Sequence, residues 1–137
     1  MLVQGVNVMP TSVEQLAAEL IRLVEERKFL EAIENFYAPD AAMQENDEAP
    51  RVGLAALLAG ERKALAYFKE IHVSRAASFL AHGDRVAINW IFEYTDPNGR
   101  RHRMNEIAYQ QWRDGKIIHE KFFYDPAQRQ VEVAAEA

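Results

Sequence analysis

The sequence contains no cysteine, which excludes disulfide bonds, thiolate metal sites and a cysteine nucleophile. Glycine and proline are sparse, with six and five residues, and no glycine-rich phosphate loop is present. No apolar run approaches the roughly 20 residues that span a bilayer. Residues 1–10 carry no lysine or arginine and too short an apolar stretch for a signal peptide. We therefore expect a cytoplasmic protein without membrane contact.

The composition that remains is that of a globular domain with a small excess of acid. About half of the 137 residues are hydrophobic (49%) and 27% are charged, so one domain can bury a core. The formal net charge of −5 argues against general nucleic-acid binding. The four histidines do not follow a metal-binding spacing, and we expect no metal or organic cofactor.

Helical periodicity fills the first half of the chain. Ser12 is followed three positions later by Gln15, the spacing of a capping box that starts a helix. Apolar residues then recur every three or four positions. The second helix should end before Pro39, which disfavours helix in the preceding residue, and Gly53 opens the third. The predicted helices cover residues 13–28, 29–38 and 54–71.

The second half changes to strand chemistry. Stretches rich in β-branched and aromatic residues are separated by turn signals, among them Asp96-Pro97-Asn98-Gly99 and Asp114-Gly115. The predicted strands cover residues 73–81, 85–95, 101–113 and 116–124, and residues 40–51 are predicted to be a short strand and a loop. Helices followed by an antiparallel meander predict one α+β domain over residues 1–137. Its core should span about residues 12–126, with residues 1–10 and 127–137 peripheral.

The strand predicted over residues 85–95 is apolar on both faces. Aromatic residues dominate one face, and Ala87 and Ile91 lie on the other. A sheet with only one covered face shows a cleaner alternation of apolar and polar residues. Helices can cover one face, so we expect the other to pack against a second copy of the chain. Trp90 and Phe92 are the residues predicted for this homodimer interface.

Three short strings stand at the turns and in the core of this pattern. They are FYAPDA at residues 36–41, RDGKI at 113–117 and FFYDP at 122–126. Together with the order of helices and strands they resemble the nuclear-transport-factor-2-like superfamily, and within it the SnoaL-like and ketosteroid-isomerase-like proteins. The resemblance implies a cone, described as an α+β barrel, in which a curved mixed or antiparallel sheet wraps around three helices. It also implies an apolar pocket at the wide end and homodimers through the sheet.

The resemblance implies acid–base chemistry on a small apolar carbonyl compound. In ketosteroid isomerases the base lies five residues after the Asp of a motif that here reads Tyr37-Ala38-Pro39-Asp40, and Glu45 holds that position. A glutamate there needs a pKa raised by burial. The donors of their oxyanion hole would fall near Leu20 and Ala108, which cannot replace them. Glu106, an acid in the middle of an apolar strand, is the second catalytic candidate, with a pKa expected above the usual value of about 4.3.

Counting along the strands with this family as a guide places further side chains on the pocket face. Asn89 and Glu93 are expected there, and His102 is a possible acid–base partner for Glu106. The candidates for ligand contacts are Asn89, His102, Met104, Phe122 and Tyr124, with Tyr124 as an orienting donor. Two functions stay open. The first is an enzyme of the isomerase or lyase class, an isomerase, cyclase or dehydratase, with Glu45 as the base and Glu106 as the acid. The second is a non-catalytic module that binds a small hydrophobic ligand or serves for dimerisation.

Overall fold

The computed structural model describes residues 11–133 as three helices and one open sheet of six strands. The helices are α1 (Val13–Glu25), α2 (Phe29–Phe36) and α3 (Leu54–Tyr67). The strands are β1 (Tyr37–Glu45), β2 (Arg51–Val52), β3 (Glu70–His82), β4 (Arg85–Thr95), β5 (Arg101–Arg113) and β6 (Lys116–Phe123), followed by a short 3₁₀ helix, Pro126–Arg129. The predicted α+β class is confirmed, and the sheet is not a closed barrel.

The sheet has the strand order β2-β1-β6-β5-β4-β3. Short turns join β3 to β6 into the predicted antiparallel meander. Strand β1 pairs with β6 in parallel, which the long connection between them through α3 and four strands allows. The sheet is therefore mixed, and its central strands β6, β5 and β4 carry the inner face against which the helices pack.

The first helix begins with the capping box that the sequence predicts. The Ser12 hydroxyl accepts a hydrogen bond from the Gln15 N–H at 3.1 Å, and the Gln15 side chain accepts one from the Ser12 N–H at 2.9 Å. The apolar stripe of α1 then packs against β3 and β4. The residues buried in this core include Ala17, Leu20, Leu23, Ile33, Phe36, Val86, Ile88, Ala108 and Ile117.

The first strand is longer than the sequence predicts. The second helix ends at Phe36 rather than at residue 38, and β1 begins at Tyr37 in extended conformation. Proline disfavours helix in the preceding Ala38, and pairing of Tyr37 with Ile117 of β6 gives the extended backbone its neighbour. The same strand carries Glu45 at its far end.

The loop between β4 and β5 sets which side chains face the helices. One carboxylate oxygen of Asp96 accepts hydrogen bonds from the N–H groups of Asn98, at 2.8 Å, and Arg100, at 2.9 Å. These bonds hold a loop of five residues, 96–100, so that Thr95 pairs with the first residue of β5. Even-numbered residues of β4 and β5 therefore lie on one face of the sheet, and odd-numbered residues of both strands lie on the other.

This loop length corrects the predicted faces of β4. A four-residue turn would place Asn89 opposite Glu106, but the five-residue loop places Trp90 there. The predicted pocket-side positions of Asn89 and Glu93 are therefore wrong, because alternation sends both to the outer face. The predicted outer, dimer-forming positions of Trp90 and Phe92 are wrong for the same reason, since both face the helices. No helix within residues 11–133 is long and apolar enough to cross a membrane.

Candidate active site

A cavity of about 800 Å³ lies between the helices and the inner face of the sheet. A volume of this size suits a small organic molecule. Most of its wall is apolar, contributed by residues such as Leu20, Phe29, Ile33, Met43, Leu65, Phe68, Trp90, Phe92, Met104 and Phe122. Four carboxyl groups interrupt this wall: Glu45, Glu61, Glu106 and Glu120. No group of three or more His, Asp or Glu residues within the described part of the chain is arranged to hold a metal ion.

The cavity opens where its lining residues are exposed to solvent. These residues are Arg51 on β2, Lys63 and Tyr67 on α3, and Arg129 in the 3₁₀ helix. We refer to these four residues as the cavity mouth. The apolar wall and the inner carboxyl groups lie beyond it, so the opening is basic while the interior is apolar.

Glu106 lies in the middle of β5 on the inner face, opposite Trp90. Within residues 11–133 its carboxyl group has no hydrogen-bond or ion-pair partner. Burial, and then the negative charges of Glu120 and Glu45, raise the pKa of Glu106 to about 8. The predicted rise in its pKa is confirmed. Glu106 is therefore mostly protonated at neutral pH and can donate a hydrogen bond or a proton into the cavity.

Glu120 is fully buried on the neighbouring strand β6 and belongs to a chain of hydrogen bonds. The Tyr37 hydroxyl donates to one carboxylate oxygen, and the Gln110 amide donates to the other at 2.6 Å. The Trp112 indole N–H donates to the Gln110 carbonyl oxygen at 2.9 Å. Burial raises the pKa of Glu120 to about 7, although both hydrogen bonds favour the carboxylate. Both protonation states of this group are accessible near neutral pH.

Glu45 lies next to the cavity mouth and has several partners. Its Oε1 accepts hydrogen bonds from the Tyr124 hydroxyl at 2.7 Å and from Arg129 at 2.8 Å, and its Oε2 accepts one from Arg51 at 3.2 Å. Partial burial alone would raise its pKa, but Tyr124 and the two guanidinium groups outweigh burial and lower it. The raised pKa that a base at Glu45 requires is therefore absent, and the carboxylate serves as an anchor for cationic side chains.

The other predicted ligand contacts divide into two groups. Met104 and Phe122 line the cavity, as expected. Tyr124 points its hydroxyl at Glu45 and accepts a hydrogen bond there from Arg129 at 2.6 Å. Tyr124 thus orients the carboxylate at the mouth, next to the cavity wall.

His102 lies outside the cavity lining, at the end of β5. One ring nitrogen is 2.7 Å from a carboxylate oxygen of Asp96, and the other is 3.1 Å from the carbonyl oxygen of Val131. The ring also stacks on Tyr94. The predicted pairing of His102 with Glu106 is therefore wrong, because both nitrogens of the imidazole have other partners.

The outer-face residues also have partners of their own. The Asn89 amide donates to the side-chain oxygen of Asn105 at 2.6 Å. Glu93, which is buried, accepts hydrogen bonds from Arg101 at 3.2 Å and Arg103 at 3.3 Å. Both side chains stabilise neighbouring strands, and neither contributes to the cavity.

Sequence reasoning missed the part that the C-terminal segment plays at the site. Residues 127–133, expected to be peripheral, lie beside β5 beyond the end of β6. The Gln128 side chain accepts a hydrogen bond from the Asn105 N–H at 2.6 Å and donates one to its carbonyl oxygen at 3.2 Å. This pairing brings Arg129 to Glu45. No periodicity or motif in the sequence signals that contact.

Comparison with known proteins identifies the family. Residues 17–120, more than half of the chain, match the sequence model of the SnoaL-like domain. The chain belongs to this family. No protein of curated function matches the sequence significantly. The resemblance drawn from the short strings is thereby confirmed.

Solved structures agree with this assignment. A proposed SnoaL-like polyketide cyclase from Mesorhizobium loti is 25% identical, with 82% of this chain and 99% of that chain covered and a TM-score of 0.76. A proposed SnoaL-like polyketide cyclase from Jannaschia is 14% identical, with coverages of 94% and 97% and a TM-score of 0.77. IdmH from Streptomyces antibioticus, a proposed polyketide cyclase, is 21% identical, with coverages of 84% and 93% and a TM-score of 0.68. The last two likenesses show the fold alone.

Proposed function

We propose that this SnoaL-like protein is a cofactor-independent acid–base catalyst that isomerises, cyclises or dehydrates a small apolar carbonyl compound. The observation that carries the proposal is the carboxyl group of Glu106, which stands without a partner on the wall of an apolar cavity. Its pKa of about 8 keeps it protonated at neutral pH. A protonated carboxyl group in an apolar site can donate to a carbonyl oxygen as negative charge develops there.

Glu120 supplies the complementary base. Its carboxylate removes a proton from the carbon next to the substrate carbonyl, and the C–H electron pair moves into a new C=C bond. Glu106 donates its proton to the carbonyl oxygen, which gives the neutral enol. In an isomerisation of a conjugated enol, Glu120 returns its proton to another carbon while the enol O–H returns its proton to Glu106 and the C=O bond reforms. In a cyclisation, the enol carbon attacks a second carbonyl, the enol O–H returns its proton to Glu106, and the new alkoxide takes the proton held by Glu120. Two carboxyl groups with pKa values near neutrality, of about 7 and 8, suit this pair of roles.

A relative supports this reaction class. The protein from Mesorhizobium loti, 25% identical to this chain, is a proposed SnoaL-like polyketide cyclase. Ring closure between two carbonyl-bearing carbons begins with enol formation, which is the step that Glu120 and Glu106 would perform. Glu120 replaces Glu45 as the base in this proposal. The ion pairs of Glu45 with Arg51 and Arg129 stabilise its carboxylate, which makes it a weaker base.

Exchange of α-protons tests the proposal without the natural substrate. The ketone 2-tetralone, incubated with the protein in D₂O, should lose its α-proton signals in the NMR spectrum faster than in buffer. Glu106→Gln should slow the catalysed exchange by about 10²-fold or more, because an amide cannot give up a proton in this way. Glu19→Gln, an exposed change on α1, is the matched control and should leave the rate unchanged. The rate should be highest between about pH 7 and 8, where Glu120 is ionised and Glu106 protonated.

Three other results would contradict the proposed mechanism. Binding of 2-tetralone without faster exchange would favour the non-catalytic ligand-binding module. Unchanged exchange in Glu106→Gln would remove this residue as the acid. A larger loss in Glu45→Gln than in Glu120→Gln would restore the base to the position that the ketosteroid-isomerase resemblance implies.

We also propose that a second copy of the chain packs on the outer face of the sheet. Ile107, Tyr109 and Phe123 form an exposed apolar patch there, each at least 40% exposed. Ile107→Glu should convert a dimer into a monomer in sedimentation velocity, since it buries an unpaired charge in the interface. Val52→Glu, an exposed change on β2, is the control. A monomeric wild-type protein at micromolar concentration would contradict the proposal.

A further inference from the structure

We propose that the compound bound in this cavity carries a carboxylate, and that the carboxylate binds at the cavity mouth to Arg51, Lys63 and Arg129. This inference rests on the proposed function, in which the carbonyl group of the same compound lies deeper, at Glu106. It narrows the substrate class from apolar carbonyl compounds to apolar keto acids.

Unused N–H donors at the mouth are the first observation. Arg129 uses one terminal nitrogen for both Glu45 and Tyr124, and Arg51 uses one terminal nitrogen for Glu45. The remaining nitrogens of both guanidinium groups have no partner within residues 11–133. The Lys63 ammonium group also has none there. Cationic donors are thus present in excess over the groups that accept from them.

The balance of charge is the second observation. Three cationic side chains, those of Arg51, Lys63 and Arg129, line the mouth, and Glu45 is the carboxylate that pairs with two of them. Burial raises the pKa of Glu61, the next carboxyl group along the wall. Even with both carboxyl groups ionised, the three cations exceed them. An anion entering the cavity therefore meets a net positive opening, and the low-dielectric walls strengthen this attraction.

The packing of α3 against Arg51 is the third observation. A Cβ atom on Gly60 of α3 would lie 3.0 Å from Nε of Arg51, closer than ordinary contact allows. Glycine inside a helix is destabilising relative to alanine, so its presence here has a local cost. The missing side chain leaves Arg51 room to lie across the helix at the opening of the cavity.

The chemistry of these donors favours a carboxylate as the anion. A guanidinium group presents parallel N–H donors that match the two oxygens of a planar carboxylate. The positive charge of Arg129 also acts on the carboxyl group of Glu106 and lowers its pKa against the larger effect of burial. Arg129 and Glu106 also line the same cavity of about 800 Å³, so one small molecule can engage both residues.

Two ligands that differ only in this group test the inference. Calorimetric titrations should show that 6-hydroxy-2-naphthoate binds roughly tenfold tighter than 2-naphthol at low ionic strength. The preference should shrink at about 1 M salt, where screening acts over about 3 Å. Lys63→Met and Arg129→Met should each reduce the preference, because they weaken naphthoate binding more than 2-naphthol binding. Arg62→Met, an exposed cation beside Lys63 that does not line the cavity, is the matched control.

Several results would overturn the inference. Equal affinity for the two ligands, or no binding of the naphthoate, would do so. A preference for the naphthoate that persists in the Lys63→Met, Arg129→Met double variant would do so as well. Binding of 2-naphthyl phosphate tighter than that of the naphthoate would show that the site prefers a phosphate. Lys63 is exposed and without a partner in the described chain, so Lys63→Met keeps the test valid if Arg129→Met fails to fold. Glu106→Gln should keep the naphthoate preference while losing α-proton exchange. Failure of the inference is thereby separated from failure of the proposed function.

Discussion

Glu45 and Glu106 line the same cavity, yet their pKa values are shifted in opposite directions. Burial raises the pKa of Glu106 to about 8, and no cation contacts its carboxyl group within residues 11–133. Burial acts on Glu45 as well, but a hydrogen bond from Tyr124 and the charges of two arginines lower its pKa. The difference teaches that burial alone does not make a general acid, since the partners of the carboxyl group decide which charge state the protein stabilises.

Glu93 extends this comparison to the outer face of the sheet. It is as well buried as many core residues, and it accepts hydrogen bonds from two arginines of β5. Glu93 and Glu45 each form ion pairs with two arginines, whereas Glu106 and Glu120 form none with any residue of 11–133. Glu106 and Glu120 line the apolar cavity, where proton transfer is proposed.

The largest expected effect is the pH dependence that Glu106 imposes on stability. Its folded-state pKa of about 8 lies above the unfolded value, so the free energy of unfolding should fall as pH rises from about 4.5 to 8. At about 1.36 kcal/mol per pKa unit, the loss is on the order of 5 kcal/mol. Glu106→Gln should remove this share of the pH dependence in urea denaturation and leave the share that belongs to Glu120, with Glu19→Gln as the control. A Glu106 carboxyl group that titrates near pH 4.3 in carbon-detected NMR would contradict the expectation.

A smaller loss of stability is expected when Glu120 loses one of its two hydrogen-bond donors. Tyr37→Phe removes the hydroxyl that donates to the buried carboxylate of Glu120. The pKa of Glu120 should rise above its present value of about 7, because this hydrogen bond favours the ionised form. Loss of the donor should lower stability by about 2 kcal/mol, as expected when a buried acceptor is left unpaired. Tyr67→Phe, at the exposed cavity mouth, is the control, and an unchanged NMR titration of Glu120 would refute this reading.

The smallest expected effect belongs to Glu45. Its folded-state pKa lies below the unfolded value, so its stabilisation is present above the unfolded pKa and is lost as pH falls through the folded one. Glu45→Gln should cost about 1 kcal/mol at pH 7, typical of a partly exposed ion pair. The difference from wild type should vanish at acidic pH in urea denaturation. Glu48→Gln, a change at an exposed neighbour, is the control. A Glu45→Gln variant that is more stable than wild type at pH 7 would show that the ion pairs of Glu45 with the two arginines do not stabilise the fold.

Positions within a single strand were predictable from the sequence. Met104 and Glu106 were placed correctly on one face of β5, and Phe122 on the same face of β6, because side chains alternate with a fixed period of two. The face of β4 was predicted wrongly because it depends on how β4 pairs with β5 across the loop that follows it. One further residue in the loop at 96–100 exchanges the two faces of the strand.

The environment of Glu45 was beyond the reach of sequence reasoning. Its partners Tyr124 and Arg129 lie 79 and 84 residues further along the chain. The segment that carries Arg129 has neither strand nor helix periodicity, and it is held by the side chain of Gln128 on β5. Nothing local in the sequence distinguishes an anchored arginine of this kind from a solvated one.

The three helices, the meander, the α+β class and an acid in the middle of an apolar strand can all be inferred from the amino-acid sequence alone. Caps, turn residues and periodicity act between neighbours in the chain, so these features are readable locally. Only the tertiary structure decided which carboxyl groups are protonated at neutral pH. A pKa depends on desolvation and on charges that folding brings together, and for Glu45, Glu106 and Glu120 those surroundings come from distant helices and strands.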